Sequence, residues 1–453
     1  MSDYDSVDYF TDLSLVTDPY PYFDHLRQQC PVQPTTPQGV VAITGHSEAI
    51  AAYRDPALSS CVSVTGPFPG LPFEPQGDDI GDQIARHRDQ IPMSEHMVTM
   101  DPPDHTQLRG LLSRLLTPKR LSENEDFMWG LADRQLDEFI DRGRCEFLQD
   151  FARPFSLLVI ADLLGVPKEQ HDEFLRFMTT HTVGGIEDDE LPHNPLEWLD
   201  QTFSDYVIDR RARPREDVLT ELAQAKHSDG STPEVIEVVR LATFLFAAGM
   251  ETTTKLLSAA MRVLGERPAI QQALRSDRDK IPEFLEETLR LESPVKSHFR
   301  VARRSTVIGG TPIPAGTTVM LLPGASNRDP RKFADPNAFH LPRRNVREHL
   351  AFGRGVHTCP GAPLARAEGR ISLNRILDRM TDISINHDVH GPPGASRYSY
   401  EPTYMLRGLT ALHLTFRSRA ATTPARMEQP NAVAAPHTPT QIEPSARAAE
   451  EAT

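Results

Sequence analysis

The longest helical pattern in the chain starts at Ser231-Thr232-Pro233-Glu234 and continues to about Gly265. Ser231 as a capping residue, an early proline and a glutamate three positions after the serine together predict a helix start. A helix of roughly 30 residues spans about 45 Å at 1.5 Å per residue, enough to cross a domain of this size. Glu237, Arg240, Glu251 and Lys255 interrupt the pattern too often for a bilayer, and no run of about 18 apolar residues occurs anywhere. Shorter helical patterns begin at Asp101, carry Glu287 and Arg290, and follow Cys359 from Ala362 to Glu368. Strand-like pieces, Val307-Ile308-Gly309 and Thr317-Thr318-Val319-Met320-Leu321, cluster in the second half. The expected fold class is mainly α with a small β portion (α+β).

Composition narrows the picture. Of 453 residues, 39% are hydrophobic, enough for a sizeable core once a polar tail is set aside. No clear linker interrupts residues 10–417, so one large unit is expected over 18–417, preceded by an extension at 1–17. Residues 418–453 are dominated by Ala, Pro, Thr and Glu and are expected to form a disordered tail. The net charge of -15 argues against nucleic acid as a partner. Cys30, Cys61, Cys145 and Cys359 lack zinc-like spacing, and the acidic start Met1-Ser2-Asp3-Tyr4-Asp5 lacks the pattern of a secretion signal. A reduced, cytoplasmic setting is expected. No glycine-rich dinucleotide or phosphate loop is present, so electrons for redox chemistry must come from outside.

The chemistry concentrates at Phe352-Gly353-Arg354-Gly355-Val356-His357-Thr358-Cys359-Pro360-Gly361. A single cysteine lies in a glycine-interrupted loop that opens into a helix. Helix-start N–H groups and dipole favour a thiolate there. One thiolate with an aromatic wall at Phe352 suits an axial ligand to haem iron better than zinc, which takes about four protein ligands. Within the long helix, Ala247-Ala248-Gly249-Met250-Glu251-Thr252-Thr253-Thr254 offers small residues for close approach by a planar cofactor. A carboxylate beside a hydroxyl there makes a plausible proton relay. Gly249 and the threonines should weaken the regular helix.

On these motifs the chain resembles the cytochrome P-450 family, soluble bacterial haem-thiolate monooxygenases, over about Asp18 to Phe416. The resemblance implies haem b with Cys359 as the iron ligand, flanked by Phe352 and Gly361 below and Ala248 above. It gives Thr252 a hydrogen bond to bound dioxygen and Glu251 the inward passage of protons. It assigns His105, Arg109, Arg300 and His357 to the haem propionates. The acidic residue usual a few positions after Arg300 is replaced by Ser305 and Thr306. It implies a buried structural clamp of Glu287, Arg290 and Arg343, with Arg344 as a rival for the third place.

The implied activity is hydroxylation of a small-to-medium apolar substrate with dioxygen and two electrons from a ferredoxin and its reductase. A peroxide-driven peroxygenase and a non-catalytic haem- or ligand-binding protein are the alternatives; Glu251 and Thr252 argue against both. Residues 62–99 and 180–195 are irregular and suggest a cover over a pocket lined by Phe68, Phe73, Phe244, Ala247, Val295 and Met405. Lys296 is expected at the surface. Arg109, Arg114, Lys119, Arg120, Arg343, Arg344, Arg347, Arg354 and Arg366 suggest a basic docking face for an acidic ferredoxin. A monomer is expected.

Overall fold

The structure, a computed structural model, describes residues 4–35, 39–62, 70–113, 116–180 and 192–419. Its central element is the helix Val235–Glu266, 32 residues long. The helix starts later than the Ser231 signal predicts. The Ser231 hydroxyl is taken by Asp229 at 2.6 Å. Glu234 caps instead: its side chain accepts the Glu237 N–H, while the Glu237 carboxylate accepts the Glu234 N–H at 2.7 Å. The expected weakening at Gly249 does not occur. The Thr252 and Thr254 hydroxyls donate back to the carbonyls of Ala248 (2.8 Å) and Met250 (3.0 Å), and the helix runs through unbroken. Helices Arg153–Leu164 and Glu197–Ala212 pack against it. A Cβ on Gly249 would face Ile160 of the first of these at 3.6 Å, an ordinary contact distance, so the helix crossing does not itself demand a glycine here.

Among the described residues, ten short strands form the β portion: β1 Val32–Thr35, β2 Val40–Ile43, β3 Leu58–Ser59, β4 Arg144–Glu146, β5 His298–Ala302, β6 Thr306–Ile308, β7 Thr311–Ile313, β8 Thr318–Leu321, β9 Met380–Ile385 and β10 His413–Ser418. The largest sheet has the order β1-β2-β8-β5-β3, with only β2 and β8 parallel. Smaller antiparallel sheets are β4-β10-β9 and the hairpin β6-β7. Both strand-like pieces read from the sequence, at 307–309 and 317–321, fall in β6 and β8. In β5, Phe299 and Val301 belong to an aromatic cluster with Tyr9, Phe10, Tyr22, Phe23 and Tyr404. Side-chain alternation turns His298 and Arg300 to the other face. The first residues, read as an extension, are built into this cluster: Tyr9 donates its hydroxyl to the Tyr404 carbonyl at 2.6 Å, and the Phe10 ring lies 5.3 Å from that of Tyr404. Residues 1–420 form one compact unit, and the expected tail lies outside the described residues apart from its first two positions.

Two buried polar ties position the cysteine loop. On the helix Ile281–Leu291, Glu287 accepts from Arg290 (2.8 and 2.9 Å), from Arg343 Nε (3.0 Å to each oxygen) and from the His340 N–H (2.9 Å). The other guanidinium N–H groups reach the carbonyls of Asn327, Pro336, Ala338, Ala334 and Asp335. A buried ion pair survives only when its remaining donors and acceptors are satisfied, as they are here. Arg343 occupies the third place and Arg344 is exposed. Asn327 extends the network, donating to Ser293 at 2.9 Å and accepting the Leu350 N–H at 2.6 Å, just before the loop.

The second tie joins the central helix to the helix Ala362–Arg379: Thr253 donates to Glu368 Oε2 at 2.9 Å. Burial pushes the Glu368 carboxyl up to about 8 from an ordinary 4.5, against the Thr253 bond, which lowers it. The native state therefore keeps a proton that the unfolded chain has lost above about pH 4.5. On this group's account stability is fully present below that pH and falls as pH rises toward 8, by up to about 1.4 kcal/mol per pH unit. We expect Glu368→Gln to flatten the fall of Tm across this window, measured by thermal unfolding at a series of pH values. Parallel curves for variant and parent would contradict the assignment.

Candidate active site

The cysteine loop is shaped by backbone that side chains rarely tolerate. Gly353 and Gly355 have φ of 64° and 73°, and a Cβ on Gly355 would lie 2.3 Å from the Tyr53 carbonyl oxygen. Gly355–His357 form one 3-10 turn, and the Cys359 N–H closes the loop on the Phe352 carbonyl at 2.9 Å. The helix Ala362–Arg379 then begins with Gly361 as its cap. Burial pushes the Cys359 thiol up; the Gly361 N–H, Arg109, the Ala362 N–H and Arg366 pull it back without cancelling the rise. The polypeptide gathers positive potential at Sγ yet leaves the thiol short of ready ionisation. A bound metal cation would complete the deprotonation. Among the described residues no three His, Cys, Asp or Glu side chains gather as a metal site. Phe352 stands beside the loop with the Arg366 guanidinium 4.7 Å from its ring centre.

Four basic side chains from three elements converge nearby. His105 and Arg109 lie one turn apart on the helix Asp104–Ser113, His357 comes from the loop, and Arg300 from β5. The His105 and His357 rings are 4.0 Å apart. His357 Nε2 lies 2.9 Å from Ser60 Oγ. Asp101 fixes that serine's segment, accepting from Ser59 Oγ (2.5 Å) and the Ser60 N–H (3.0 Å). Arg109 donates to the Thr358 carbonyl. Burial, then Arg300 and His105, drive His357 down to about 2; burial and Arg109 lower His105. Both histidines are neutral at working pH.

His105 is 1% exposed, and neither of its ring nitrogens has a hydrogen-bond partner. An orphaned buried imidazole beside two guanidinium groups fits the carboxylates of a porphyrin, so the donor set suits haem. Ser305 and Thr306, where the resemblance leads one to expect an acid, bond instead to Asp78 (3.2 Å) and Asp55 (2.7 Å).

On the central helix, Phe244, Ala247 and Ala248 share one face and are half-buried. Thr252 donates to the Ala248 carbonyl, and Glu251 is held at 2.9 Å by Lys255, one turn further on. The segments carrying Val295 and Met405 adjoin: Val295 pairs with Leu406, and the Lys296 N–H donates to the Met405 carbonyl at 2.8 Å. Phe73 stacks on His87 at 5.0 Å and packs, like Met405, on the strand-side aromatic cluster, whereas Phe244 and Ala247 pack on the helical core. Phe68 lies outside the described residues. Lys296 is not at the surface. It is 3% exposed, donates to the Thr403 carbonyl at 2.6 Å, and is pushed down to about 7 by burial and Arg407.

Sequence reasoning missed three groups. His298 contacts the Tyr53 hydroxyl at 2.7 Å through Nδ1, and burial drives it down to about 3. The period of two from Arg300 along a strand could have found it. His96 is buried near Phe244, their rings 6.5 Å apart, with Nδ1 unpartnered. Glu401 reaches Lys255 at 2.7 Å from far along the chain, and no local signal marks it.

Comparison with known proteins agrees with this geometry. Residues 198–385 match the family described as Cytochrome P450. Cytochrome P450 144 of Mycobacterium tuberculosis is 33% identical over 411 residues, covering 88% of this chain and 89% of that protein. The 6-deoxyerythronolide B hydroxylase of Saccharopolyspora erythraea is 31% identical over 402 residues, covering 88% and 96%. The substrate-free structure of Mycobacterium marinum cytochrome P450 CYP150A6 superposes with a TM-score of 0.86 at 61% identity, covering 92% of this chain and all of that one. Proteins of this family bind haem b through a cysteine thiolate and act as monooxygenases. The chain belongs to the cytochrome P450 family.

Proposed function

We propose that this monooxygenase hydroxylates an apolar small molecule with dioxygen and two electrons from a ferredoxin and its reductase. Cys359 is the iron ligand, His105, Arg109, Arg300 and His357 hold the propionates, and Ala248, Phe352 and Gly361 border the macrocycle. The observation that carries the reading is a carboxylate and a hydroxyl, Glu251 and Thr252, side by side on an unbroken helix, directly after the apolar and small residues Phe244, Ala247, Ala248 and Gly249. When bound, haem supplies dioxygen binding and O–O cleavage, with electron density pushed from the thiolate. The chain supplies proton handling. Thr252 holds its proton at Oγ1, donated at rest to the Ala248 carbonyl, and turns from it to serve the pocket. Glu251 is about one-third exposed and collects protons from solvent. Phe73, Phe244, Ala247, Val295 and Met405 supply the apolar side chains of this reading's pocket.

The ferredoxin reading rests on a cleft of about 580 Å³ beside the cysteine-loop helix, lined by three arginines, Arg347, Arg366 and Arg370, against two acids, Glu125 and Glu286. Arg366 is tied to Glu286 and Arg370 to Glu125, and Arg343 is spent in the clamp, while Arg347 is exposed. Arg114, part of the expected basic face, lies outside the described residues. Among the described residues no helix is long and apolar enough to cross a membrane, and the described cysteines are unpaired.

Thr252→Ala should keep haem content and substrate affinity while lowering product formed per NADH consumed several-fold, because reducing equivalents leave as peroxide; unchanged coupling would remove Thr252 from the relay. Arg347→Glu should slow reduction by ferredoxin and weaken its dependence on ionic strength, with substrate affinity unaltered. Stopped-flow reduction at several salt concentrations reads both, and a salt-independent rate in the parent together with a silent variant would place the partner elsewhere.

A further inference from the structure

Lys255 has an unusual setting for a lysine in a core helix. It is 4% exposed, and its ammonium sits between two carboxylates, Glu251 Oε1 at 2.9 Å on its own helix and Glu401 Oε2 at 2.7 Å on the turn before β10. The fold makes room for it. A Cβ on Gly408 would lie 2.6 Å from Lys255 Cγ, and the Gly408 carbonyl accepts the Glu401 N–H at 3.0 Å, so the same turn that admits the lysine stem carries its second partner. Arg407 anchors that turn through Glu292 at 2.9 Å. Burial alone would favour the neutral amine, but Glu251 and Glu401 outweigh it and raise the group, so the side chain is an ammonium.

One ammonium shared by two carboxylates leaves a net negative charge, so either acid can depart without stranding a buried cation. A buried charge left with no partner is strongly unfavourable, which would lock a single-carboxylate pair shut. Glu401 is the more buried of the two, with 16% of its side chain exposed against 35% for Glu251, so the acid free to leave is Glu251. We propose that Lys255 and Glu401 are positioning residues for proton delivery: Lys255 docks the Glu251 carboxylate, and Glu401 keeps the ammonium paired while Glu251 is away. The inference rests on Glu251 being the relay acid. In each cycle Glu251 leaves Lys255, takes a proton from solvent at a carboxylate oxygen, gives it to the Thr252 hydroxyl as that group passes its own proton on, and returns as a carboxylate. One proton crosses and no electron moves.

The test compares haem-loaded parent, Glu251→Gln, Glu401→Gln, Glu251→Gln/Lys255→Met, and that last protein with Glu401→Gln added. Turnover is measured in light and heavy water, with substrate affinity and haem content alongside. With Glu401 gone, Glu251 is held as the sole counter-ion, so turnover should fall about tenfold and the solvent isotope effect should rise, with affinity and haem content unchanged. In the Glu251→Gln/Lys255→Met background, where no buried ammonium is left to strand, Glu401→Gln should add nothing further. In the resting protein, Glu401→Gln should also shift the infrared carboxylate band assigned to Glu251 by subtraction of the Glu251→Gln spectrum. If Glu251→Gln is slow but Glu401→Gln leaves turnover, isotope effect and band unaltered, the positioning role is overturned and the relay stands. Equal losses from Glu401→Gln in both backgrounds would make Glu401 a structural staple and also overturn it. If Glu251→Gln is itself silent, the relay reading falls and takes this one with it.

Discussion

Holding one half-buried sulfur where it can become an anion is the constraint on which the rest of this structure depends. Burial works against a thiolate, and the chain answers with local backbone rather than a second ligand. Gly361 and Ala362 point their N–H groups at Sγ, and Arg109 and Arg366 stand close by. Those groups work only if the loop keeps its shape, which requires positive φ at Gly353 and Gly355 and a fixed wall behind them. The wall is the Tyr53 backbone, and Tyr53 in turn meets His298 on β5, the strand that presents Arg300. Loop, sheet and basic cluster thus form one mechanical unit.

Long-range polar ties hold that unit to the central helix. The Glu287 clamp satisfies two buried guanidinium groups and fixes the coil before the loop. Glu368 and Thr253 join the two helices that flank the proposed haem site. Lys255 and Glu401 join the relay segment of the central helix to the turn before β10. Each tie puts an ionisable group in the core, and each is tolerated because its partners come from elements that must not slide. Burial of apolar area alone would stabilise many relative placements of these helices; the polar ties select one.

Much of this was legible in the sequence where the determinants are local. The glycines and the cysteine of the loop lie within ten residues, and Glu287 and Arg290 share a helix face by spacing alone. The long helix was legible too, but its start was not: Ser231 and Glu234 both carry capping patterns, and only the Asp229 contact decides between them. Arg343 and Arg344 differ by the direction of one step in an irregular coil, which no periodicity predicts. Lys296 reads as a surface residue because lysine usually is one; its burial follows from the turn at Thr403–Met405 folding over it. Tyr9 and Phe10 find their partners nearly four hundred residues away. The pocket was the least legible part, since its expected lining is drawn from segments far apart in sequence, and the structure packs Phe244 and Ala247 on the helical core but Phe73 and Met405 on the strand-side cluster.

The account's central claim is that Cys359 supplies the axial sulfur, and the ferrous–CO spectrum of the haem-loaded protein tests it most directly. Cys61, Cys145 and Cys359 can each be replaced by serine and the CO band recorded for every variant. The account predicts the red-shifted band of thiolate ligation in the parent and in the Cys61→Ser and Cys145→Ser proteins, with loss of that band in Cys359→Ser alone. Retention of the band in Cys359→Ser, or its absence from the parent, would contradict the account.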